Sequence, residues 1–427
     1  MNTENTFLWG AAASSHQVEG NNTLNDWWDW ESRGKVKEPS GIACDHYNRF
    51  GQDFKIAHSL GHTAHRFSLE WSRLEPEEGR WSAFEWAHYK EVVRTLRALK
   101  IEPIVTLNHF TLPLWFYKNG GWTDRRSILY FARFAKKAVD VLGEDVTYWL
   151  TLNEPFVYAF MAYIKGVWPP GESSCAKAFM VIENQIQAHA SAYKDMHEAA
   201  RKVSLNGIKV GAALSVSPFF PCREESPGDR LAVFLRNNLY NHMFIRSALN
   251  GIILFPGFHI RALRSRRAAD FIGLNYYSYE NIRYKGLGGY DMFGEPCYLG
   301  HHEKANEEKN SLGWRVYPEG VYLLLKDFAG YGLPIIITEN GICTNDDNQR
   351  SIFIKDHLSW VFKARSAGIP AAGYLYWSLL DNFEWADGYS PRFGLIETDY
   401  TTLTRTVRPS GRIMADYIAD YMKAALF

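Results

Sequence analysis

The sequence predicts an α/β protein built as a (β/α)8 TIM barrel, in which eight parallel strands close into a ring inside a layer of helices. Two patterns support this prediction. Eight short apolar runs rich in β-branched and aromatic residues recur along the chain, and stretches with helical periodicity separate them. The runs are apolar at nearly every position, as expected for parallel strands that are buried on both faces.

The predicted elements alternate along the chain. The strands are Phe7–Ala13, Thr63–Leu69, Pro103–Leu107, Thr147–Leu152, Ile208–Val216, Phe271–Leu274, Pro334–Thr338 and Ala371–Trp377. The clearest helical patterns cover Phe84–Leu99, Ser127–Leu142, Cys175–Val203, Asp229–Leu249, Pro318–Ala329 and Gln349–Ala367. One long polar interruption spans 283–313, and its composition fits either a loop over the barrel mouth or a disordered insertion.

The domain organisation follows from length and composition. The chain has 427 residues, and no linker rich in proline, glycine or serine and no block of charge divides it. Barrel enzymes with long loops often exceed the usual length of one domain. We therefore expect a single barrel domain over residues 1–427, with long loops after the strands.

Charge and hydropathy exclude several classes of protein. The 47 basic residues offset the 47 acidic ones, so no strong field attracts nucleic acid or an anionic membrane. The longest apolar run, 156–164, is too short to span a bilayer, and residues 1–6 lack the features of a secretory signal. The five cysteines are odd in number and scattered, which favours a reducing cytoplasm without a disulfide framework.

Polar and aromatic side chains follow the predicted strands, at the face where barrel enzymes carry their chemistry. They are Gln17, Arg66, Asn108, His109, Asn153, Glu154, Asn275, Tyr277, Glu339, Asn340 and Trp377. Hydrogen-bonding groups mixed with flat rings suit a polyhydroxylated ring that has polar edges and apolar faces. The chain is rich in such rings, with 26 Phe, 15 Trp and 24 Tyr.

Two of these residues are carboxylates at the ends of buried strands. Glu154 follows Thr147–Leu152, and Glu339 follows Pro334–Thr338. A single such Glu could cap a helix or pair with an Arg, but two at one barrel mouth indicate a functional site. A pair of carboxylates facing a sugar is typical of glycosidases, and their separation decides between retention and inversion. The sequence does not give that distance.

A series of longer segments carries a resemblance to a known family. The segments are 7–20 (FLWGAAASSHQVEG), 151–155 (TLNEP), 337–341 (ITENG) and 377–385 (WSLLDNFEW), together with 44–47, 65–68, 270–277 and 392–395. In this order and combination they resemble glycoside hydrolase family one, the β-glucosidase family. The matches extend from residue 7 to about residue 410.

The resemblance implies a barrel fold and a retaining, two-step hydrolysis. Glu339 matches the family nucleophile, and Glu154 matches the acid/base. Arg66 and Tyr277 match groups that orient the nucleophile, with Asn275 in a supporting position. Further residues match groups that bind the sugar. They are Asn153 at the 2-hydroxyl, Gln17, His109 and Glu384 at other hydroxyls, Trp377 as the platform and Trp385 at a further hydroxyl contact. Trp314 resembles a wall residue for the leaving group, with a core Trp as the alternative.

The expected activity is exo-acting removal of terminal β-D-glucosyl residues, with β-galactosides and β-fucosides as side substrates. The partners are β-glycosides and short oligosaccharides, and a homo-oligomer is left open. No cofactor is expected, because the reaction needs only two carboxylates and water. One alternative is a 6-phospho-β-glycosidase, although Glu384 would repel a phosphate. The other is a non-catalytic sugar-binding protein on the same barrel.

Some features depart from the family pattern or invite another interpretation. Strand five ends in Ser215 and Ser217, where many members place an Asn, and Phe110 stands where Trp is common. His58, His62 and His65 have a spacing that could ligate a metal on one helix. Gly61 and the following strand interrupt that helix, so we expect no metal site.

Overall fold

The computed structural model describes residues 7–205, 207–255, 259–286, 294–297 and 308–424. Eight parallel strands form a closed barrel in which each strand pairs with its sequence neighbours and the last pairs with the first. We label them β1 (Leu8–Ala12), β2 (Ala64–Ser68), β3 (Glu102–Asn108), β4 (Tyr148–Asn153), β5 (Lys209–Val216), β6 (Ile272–Tyr276), β7 (Ile335–Asn340) and β8 (Ala371–Trp377). The predicted barrel is confirmed.

Helices cover the outside of the barrel. Those of eight residues or more are His46–Ser59, Ala83–Ala98, Ser127–Leu142, Pro155–Tyr163, Cys175–Lys202, Pro227–Arg236, Met243–Asn250, Glu319–Phe328, Asp347–Ser366 and Pro409–Ala424. Shorter ones are Ser15–Val18, Asp26–Ser32, Trp71–Leu74 and Leu114–Lys118. Within the described parts of the chain, no helix is both long and apolar enough to cross a membrane.

The helix predicted over Asp229–Leu249 is interrupted. A π-helical turn, Asn237–His242, separates Pro227–Arg236 from Met243–Asn250. A π turn inserts one residue into the helical repeat, so apolar periodicity alone does not reveal it. It rotates the following residues and directs Tyr240 toward the barrel mouth, where it lines a cavity.

The core has two parts. One cluster fills the base of the barrel, with Leu8, Ile104, Leu150, Ile336 and Leu375 among its fully or nearly buried members. A much larger cluster packs the helices against the outer face of the strands. Because both faces of each strand are buried, the polar residues that follow them are held at the rim by an apolar scaffold.

Short strands add to the barrel, and the group around Glu280–Arg283 lines its mouth. Glu280–Arg283 pairs with Phe219–Pro221 and with Glu295–Pro296. Further two-stranded sheets join Ile252–Phe255 to His259–Ala262 and Ile396–Thr398 to Arg405–Val407. Of the long interruption at 283–313, residues 287–293 and 298–307 lie outside the described residues, whereas Lys309 and Leu312–Trp314 line the cavity at the mouth.

The sequence favours a chain without a disulfide framework, but one pair of cysteines is bonded. Cys222 and Cys297 are joined across 75 residues of sequence, with their Cα atoms 6.0 Å apart. Their backbones flank Glu280–Arg283, since Cys222 N–H donates to Ile282 O at 2.8 Å and Cys297 N–H donates to Asn281 O at 2.7 Å. The pairing depends on this small sheet, which cysteine spacing alone does not reveal.

Candidate active site

One cavity of about 490 Å³ opens at the carboxyl ends of the strands. Gln17, His109, Asn153, Glu154, Tyr277, Trp314, Glu339, Trp377, Glu384 and Trp385 all line it. Arg66 and Asn275 lie directly behind it and are fully buried. The structure therefore brings these twelve residues to one mouth. Two other strand-end amides do not line the cavity, because Asn108 Nδ2 donates to Thr111 O and Asn340 Nδ2 donates to Tyr276 O.

The strand ends fix the two carboxylates. Glu339 belongs to β7 and pairs with Asn275 of β6 in the barrel register. Gly341, two residues later, passes so close to β8 that a Cβ there would lie 1.9 Å from Trp377 O. Only glycine fits at this position, which accounts for the sequence Glu339-Asn340-Gly341.

Glu154 occupies the turn between β4 and the helix Pro155–Tyr163. Its φ is +45°, in the left-handed region that non-glycine residues seldom adopt. Its N–H donates to Ala213 O of β5 at 2.8 Å, which pins the turn against the next strand. A residue held in such a conformation at a cavity is characteristic of functional sites.

Glu339 accepts hydrogen bonds on both oxygens. Arg66 Nη1 donates to Oε1 at 2.5 Å, and the Tyr277 hydroxyl donates to Oε2 at 2.6 Å. Arg66 is completely buried and also donates to Thr106 Oγ1 and Asn153 Oδ1. Burial raises the pKa of Glu339, while the guanidinium and the phenol oppose that shift.

Glu154 has weaker support. Its Oε1 accepts from Asn275 Nδ2 at 2.9 Å, and Thr338 Oγ1 donates to Asn275 Oδ1, which fixes the orientation of that amide. Burial, with the nearby charge of Glu339, raises the pKa of Glu154 to about 8. Near neutral pH the site therefore combines a protonated Glu154 with a Glu339 stabilised as the anion by its donors.

A third carboxyl group, Glu384, lies at the same mouth. Burial is the main reason that its pKa rises to about 8, with the charges of Glu339 and Asp387 adding to the effect. Gln17 Nε2 lies 3.2 Å from Glu384 Oε2 but is closer to Phe383 O, at 2.8 Å, and to Asn382 Oδ1, at 3.0 Å. Since Nε2 carries two hydrogens, Glu384 competes for them and keeps acceptor capacity for a ligand.

Flat rings flank an imidazole beside these carboxyl groups. The His109 ring lies 5.8 Å from Trp377 and 6.1 Å from Trp385, at interplanar angles of 23° and 17°. Burial, with the charge of Arg66, lowers the pKa of His109 well below its usual range, so the imidazole is neutral. Asn153 Nδ2 lies 3.1 Å from His109 Nε2, which accepts that hydrogen bond and leaves Nδ1 as the protonated nitrogen.

Trp314 belongs to the wall of the cavity and not to the core. Its side chain is 39 % exposed, and its ring packs 5.7 Å from Tyr277 and 6.2 Å from Phe393. Of the two interpretations that the sequence left open for this residue, the structure supports the wall.

Other wall residues escaped the sequence analysis. They are Val157, Phe160, Met161, Trp168 and Tyr240, whereas Ser215, which also lines the cavity, was named from the sequence as a departure from the family pattern at the end of strand five. The first three belong to the helix that begins just after Glu154, and the proximity of that helix to a strand-end carboxylate was an available signal. Trp168 and Tyr240 follow irregular backbone and had no sequence signal.

The histidine trio contributes nothing to this mouth. His62 and His65 are buried, and burial lowers the pKa of His62 to about 4, while His58 is exposed. No group of three or more metal-ligating side chains occurs among the residues that the structure describes.

The chain is similar to proteins of known activity over nearly its whole length. The family model described as glycosyl hydrolase family 1 matches residues 2–422. The 1,4-β-D-glucan glucohydrolase of Thermotoga neapolitana is 32% identical, with 95% of each chain covered.

Solved structures agree with this similarity. The β-glycosidase of Pyrococcus horikoshii superposes with a TM-score of 0.89 at 39% identity, over 96% of this chain and 93% of that one. The β-glucosidase of Thermotoga maritima in complex with glucoimidazole gives a TM-score of 0.88 at 32% identity, over 97% and 98%. The resemblance found in the sequence segments is confirmed.

Proposed function

The chain belongs to glycosyl hydrolase family 1 and is a β-glycosidase of the β-glucosidase type, and we propose that it cleaves terminal β-D-glucosyl residues with retention through Glu339 and Glu154. The observation that carries this proposal is the contrast between the two carboxylates. Glu339 accepts from Arg66 and Tyr277, whereas burial keeps Glu154 protonated. The site thus holds a nucleophile and an acid at once.

In the first step, a Glu339 oxygen attacks the anomeric carbon and forms a glycosyl ester. The bond to the leaving oxygen breaks, and the Glu154 proton transfers to that oxygen. Arg66 and Tyr277 aim the Glu339 carboxylate before the attack. Because the hydrogen bonds from Arg66 and Tyr277 stabilise the ionised form of the carboxylate, it is available as a nucleophile near neutral pH.

In the second step, the ester removes the negative charge of Glu339, which is one of the causes that raise the pKa of Glu154. The pKa of Glu154 falls as a result, so the same residue now accepts a proton from water. The water oxygen attacks the anomeric carbon and releases Glu339 as a carboxylate. Two inversions at one carbon give net retention.

The sugar itself is held from three sides. Gln17, His109 and Glu384 offer hydrogen-bonding groups, Trp377 and Trp385 offer apolar faces, and Asn153 lies beside Glu154 for the 2-hydroxyl. Asn153 Oδ1 accepts from both Arg66 and Asn275, so its Nδ2 is oriented toward His109 and the cavity. We propose that this set also admits β-galactosides and β-fucosides, which keep most of the same hydroxyl groups.

The wall near Glu384 disfavours a 6-phosphorylated sugar. An ionised Glu384 repels phosphate, and a protonated Glu384 offers one donor where phosphate needs several. A purely sugar-binding role is disfavoured because both carboxylates and their supporting donors are in place. The 6-phosphate alternative is tested by comparing the hydrolysis rates of nitrophenyl β-glucoside and its 6-phosphate at equal concentration. Faster cleavage of the 6-phosphate would contradict the proposal.

Retention is tested by proton NMR during hydrolysis of a nitrophenyl β-glucoside. We expect β-glucose to appear first and the α-anomer to grow only by mutarotation. Initial release of α-glucose would show inversion and contradict the two-step scheme. Binding without turnover on a panel of nitrophenyl β-glycosides would instead indicate a sugar-binding protein.

A further inference from the structure

The wall of the cavity beyond Glu154 is built from residues outside the sugar-reading set. The sugar-reading groups follow β1, β3 and β8, whereas Ser215 lies in β5 and Tyr240 in the π turn behind it. Glu154 lies between these two sides and delivers its proton to the bond that is cleaved. A sugar held on the β1, β3 and β8 side therefore directs its leaving group toward Ser215 and Tyr240.

Ser215 and Tyr240 form a hydroxyl pair. The Tyr240 hydroxyl donates to Ser215 Oγ at 2.8 Å. In the barrel register Ser215 pairs with Asn275, whose amide donates to Glu154 Oε1. The hydroxyl pair is thus one strand away from the residue that positions the acid/base, and the charge of Glu154 is close enough to raise the pKa of Tyr240, after burial.

The π turn holds Tyr240 firmly in this position. Asn241 Nδ2 donates to Ser217 O at 2.8 Å, and Ser217 N–H donates back to Asn241 Oδ1 at 3.1 Å. On the far side, His242 bonds to Asp327 and Tyr331. Two hydrogen bonds thus tie the turn to the end of β5, and π turns of this kind are frequent at functional sites.

Of the two hydroxyl hydrogens in this pair, one remains available to a ligand in the cavity. A serine hydroxyl has one hydrogen and two lone pairs. Ser215 Oγ accepts the Tyr240 hydrogen, and within the described parts of the chain no acceptor takes the hydrogen of Ser215 itself. Since the Ser215 side chain lines the cavity, it can present that hydrogen to a bound leaving group.

We propose that Ser215, oriented by Tyr240, donates a hydrogen bond to a hydroxyl group next to the glycosidic oxygen, and so favours leaving groups that are themselves sugars. The inference rests on the proposed function, because it assumes that Glu154 protonates the leaving oxygen. A site built to bond a hydroxyl discriminates against ligands without one, since its own polar group is then left unpaired. A nitrophenyl leaving group has no hydroxyl there.

The test is a ratio of kcat/KM values for cellobiose and 4-nitrophenyl β-D-glucoside. We expect Ser215→Ala to lower the ratio roughly five- to ten-fold and Tyr240→Phe to lower it about three-fold. The matched control is Tyr331→Phe, which removes a hydroxyl that bonds the same π turn from outside the cavity. Its ratio should equal that of the wild type. General damage to the barrel would lower kcat/KM for both substrates together and leave their ratio unchanged.

The outcomes distinguish a failure of the role of the hydroxyl pair from a failure of the proposed function. Ratios within two-fold of the wild type in both Ser215→Ala and Tyr240→Phe would overturn the role of the hydroxyl pair, as would wild-type enzyme that cleaves the nitrophenyl glucoside but not cellobiose. Wild-type enzyme that cleaves neither substrate would contradict the proposed function, and the inference with it. A lowered ratio in Ser215→Ala and Tyr240→Phe but not in Tyr331→Phe supports it.

Discussion

At the end of β7, Glu339 accepts hydrogen bonds from a guanidinium and a phenol, whereas at the end of β4 Glu154 accepts one from an amide. The two strands are alike in burial and apolar composition. The proposed roles of the two carboxylates therefore differ because of what neighbouring strands contribute, with Arg66 coming from β2 and Tyr277 from the end of β6. The end of a barrel strand places a carboxylate at the mouth, and the hydrogen-bond donors around it are the basis of the proposed division into nucleophile and acid.

Removal of the proposed nucleophile should have the strongest effect on activity. Glu339→Gly should lower kcat/KM for a nitrophenyl β-glucoside by roughly 10⁵-fold, because no covalent intermediate can form. Added azide should restore turnover by attacking from the vacated face, and the product should be the α-glycosyl azide. The control is Glu102→Gln, which disrupts a pair with Arg97 away from the mouth and should keep wild-type activity per folded molecule. Full activity in Glu339→Gly would exclude the assignment.

Removing the acid should have an effect that depends on the leaving group. Glu154→Gln should slow cleavage of cellobiose about 10³-fold but slow release of a dinitrophenyl group far less, since that anion needs no proton. In the wild type, activity on cellobiose requires protonated Glu154 and so should be lost as pH rises through about 8. The pH profile of Glu154→Gln should lack this basic limb. Equal losses for both leaving groups would show that Glu154 does not act as the acid.

A smaller effect is expected when Glu339 keeps its charge but loses one donor. Tyr277→Phe removes the hydrogen bond to Oε2 and should lower kcat roughly 10- to 100-fold with little change in KM. Tyr276→Phe is the matched control, because the hydroxyl of Tyr276 donates to Tyr317 O outside the cavity. It should change stability and not kcat. Equal kcat values in Tyr277→Phe and Tyr276→Phe would contradict the role of Tyr277 in orienting Glu339.

The smallest expected effect concerns Glu384. With a pKa of about 8 in the sugar-free site, Glu384 is mainly protonated at neutral pH and ionises as pH rises. The ionised form accepts stronger hydrogen bonds from sugar hydroxyls, so the inhibition constant of glucose should fall about three-fold between pH 6.5 and 9. Glu384→Gln should abolish this dependence. If the inhibition constant of glucose depends on pH in Glu384→Gln as it does in the wild type, the titrating group is not Glu384.

The two carboxylates at the mouth could be predicted from the sequence because their positions depend on local order. Glu154 and Glu339 follow buried apolar runs, and the barrel requires such ends to meet. Strands β6 and β7 each extend two residues beyond their predicted ends, through the pairing of Glu339 with Asn275 and of Asn340 with Tyr276. That pairing brings the bridging amide of Asn275 into the site, and strand-length propensity does not reveal it.

Features that depend on distant contacts were missed. The Cys222–Cys297 disulfide requires the small sheet at the mouth, and the position of Tyr240 requires a π turn inside a helix whose apolar pattern appears continuous. The helix His46–Ser59 was also missed, since only four of its residues are buried and its pattern is mostly polar. Hydrophobic periodicity reports on burial, not on pairing between distant segments.

The proposed mechanism requires Glu339 to form a glycosyl ester. The most direct measurement is mass spectrometry of the protein after incubation with a 2-deoxy-2-fluoro-β-glucosyl fluoride, followed by peptide mapping. The fluorine slows both steps and the good leaving group speeds the first, so the ester should accumulate. We predict one added fluorosugar per chain, attached to Glu339, and none on Glu154 or Glu384. A label on either of those residues, or no label while the probe is hydrolysed, would contradict the assignment of Glu339 as the nucleophile.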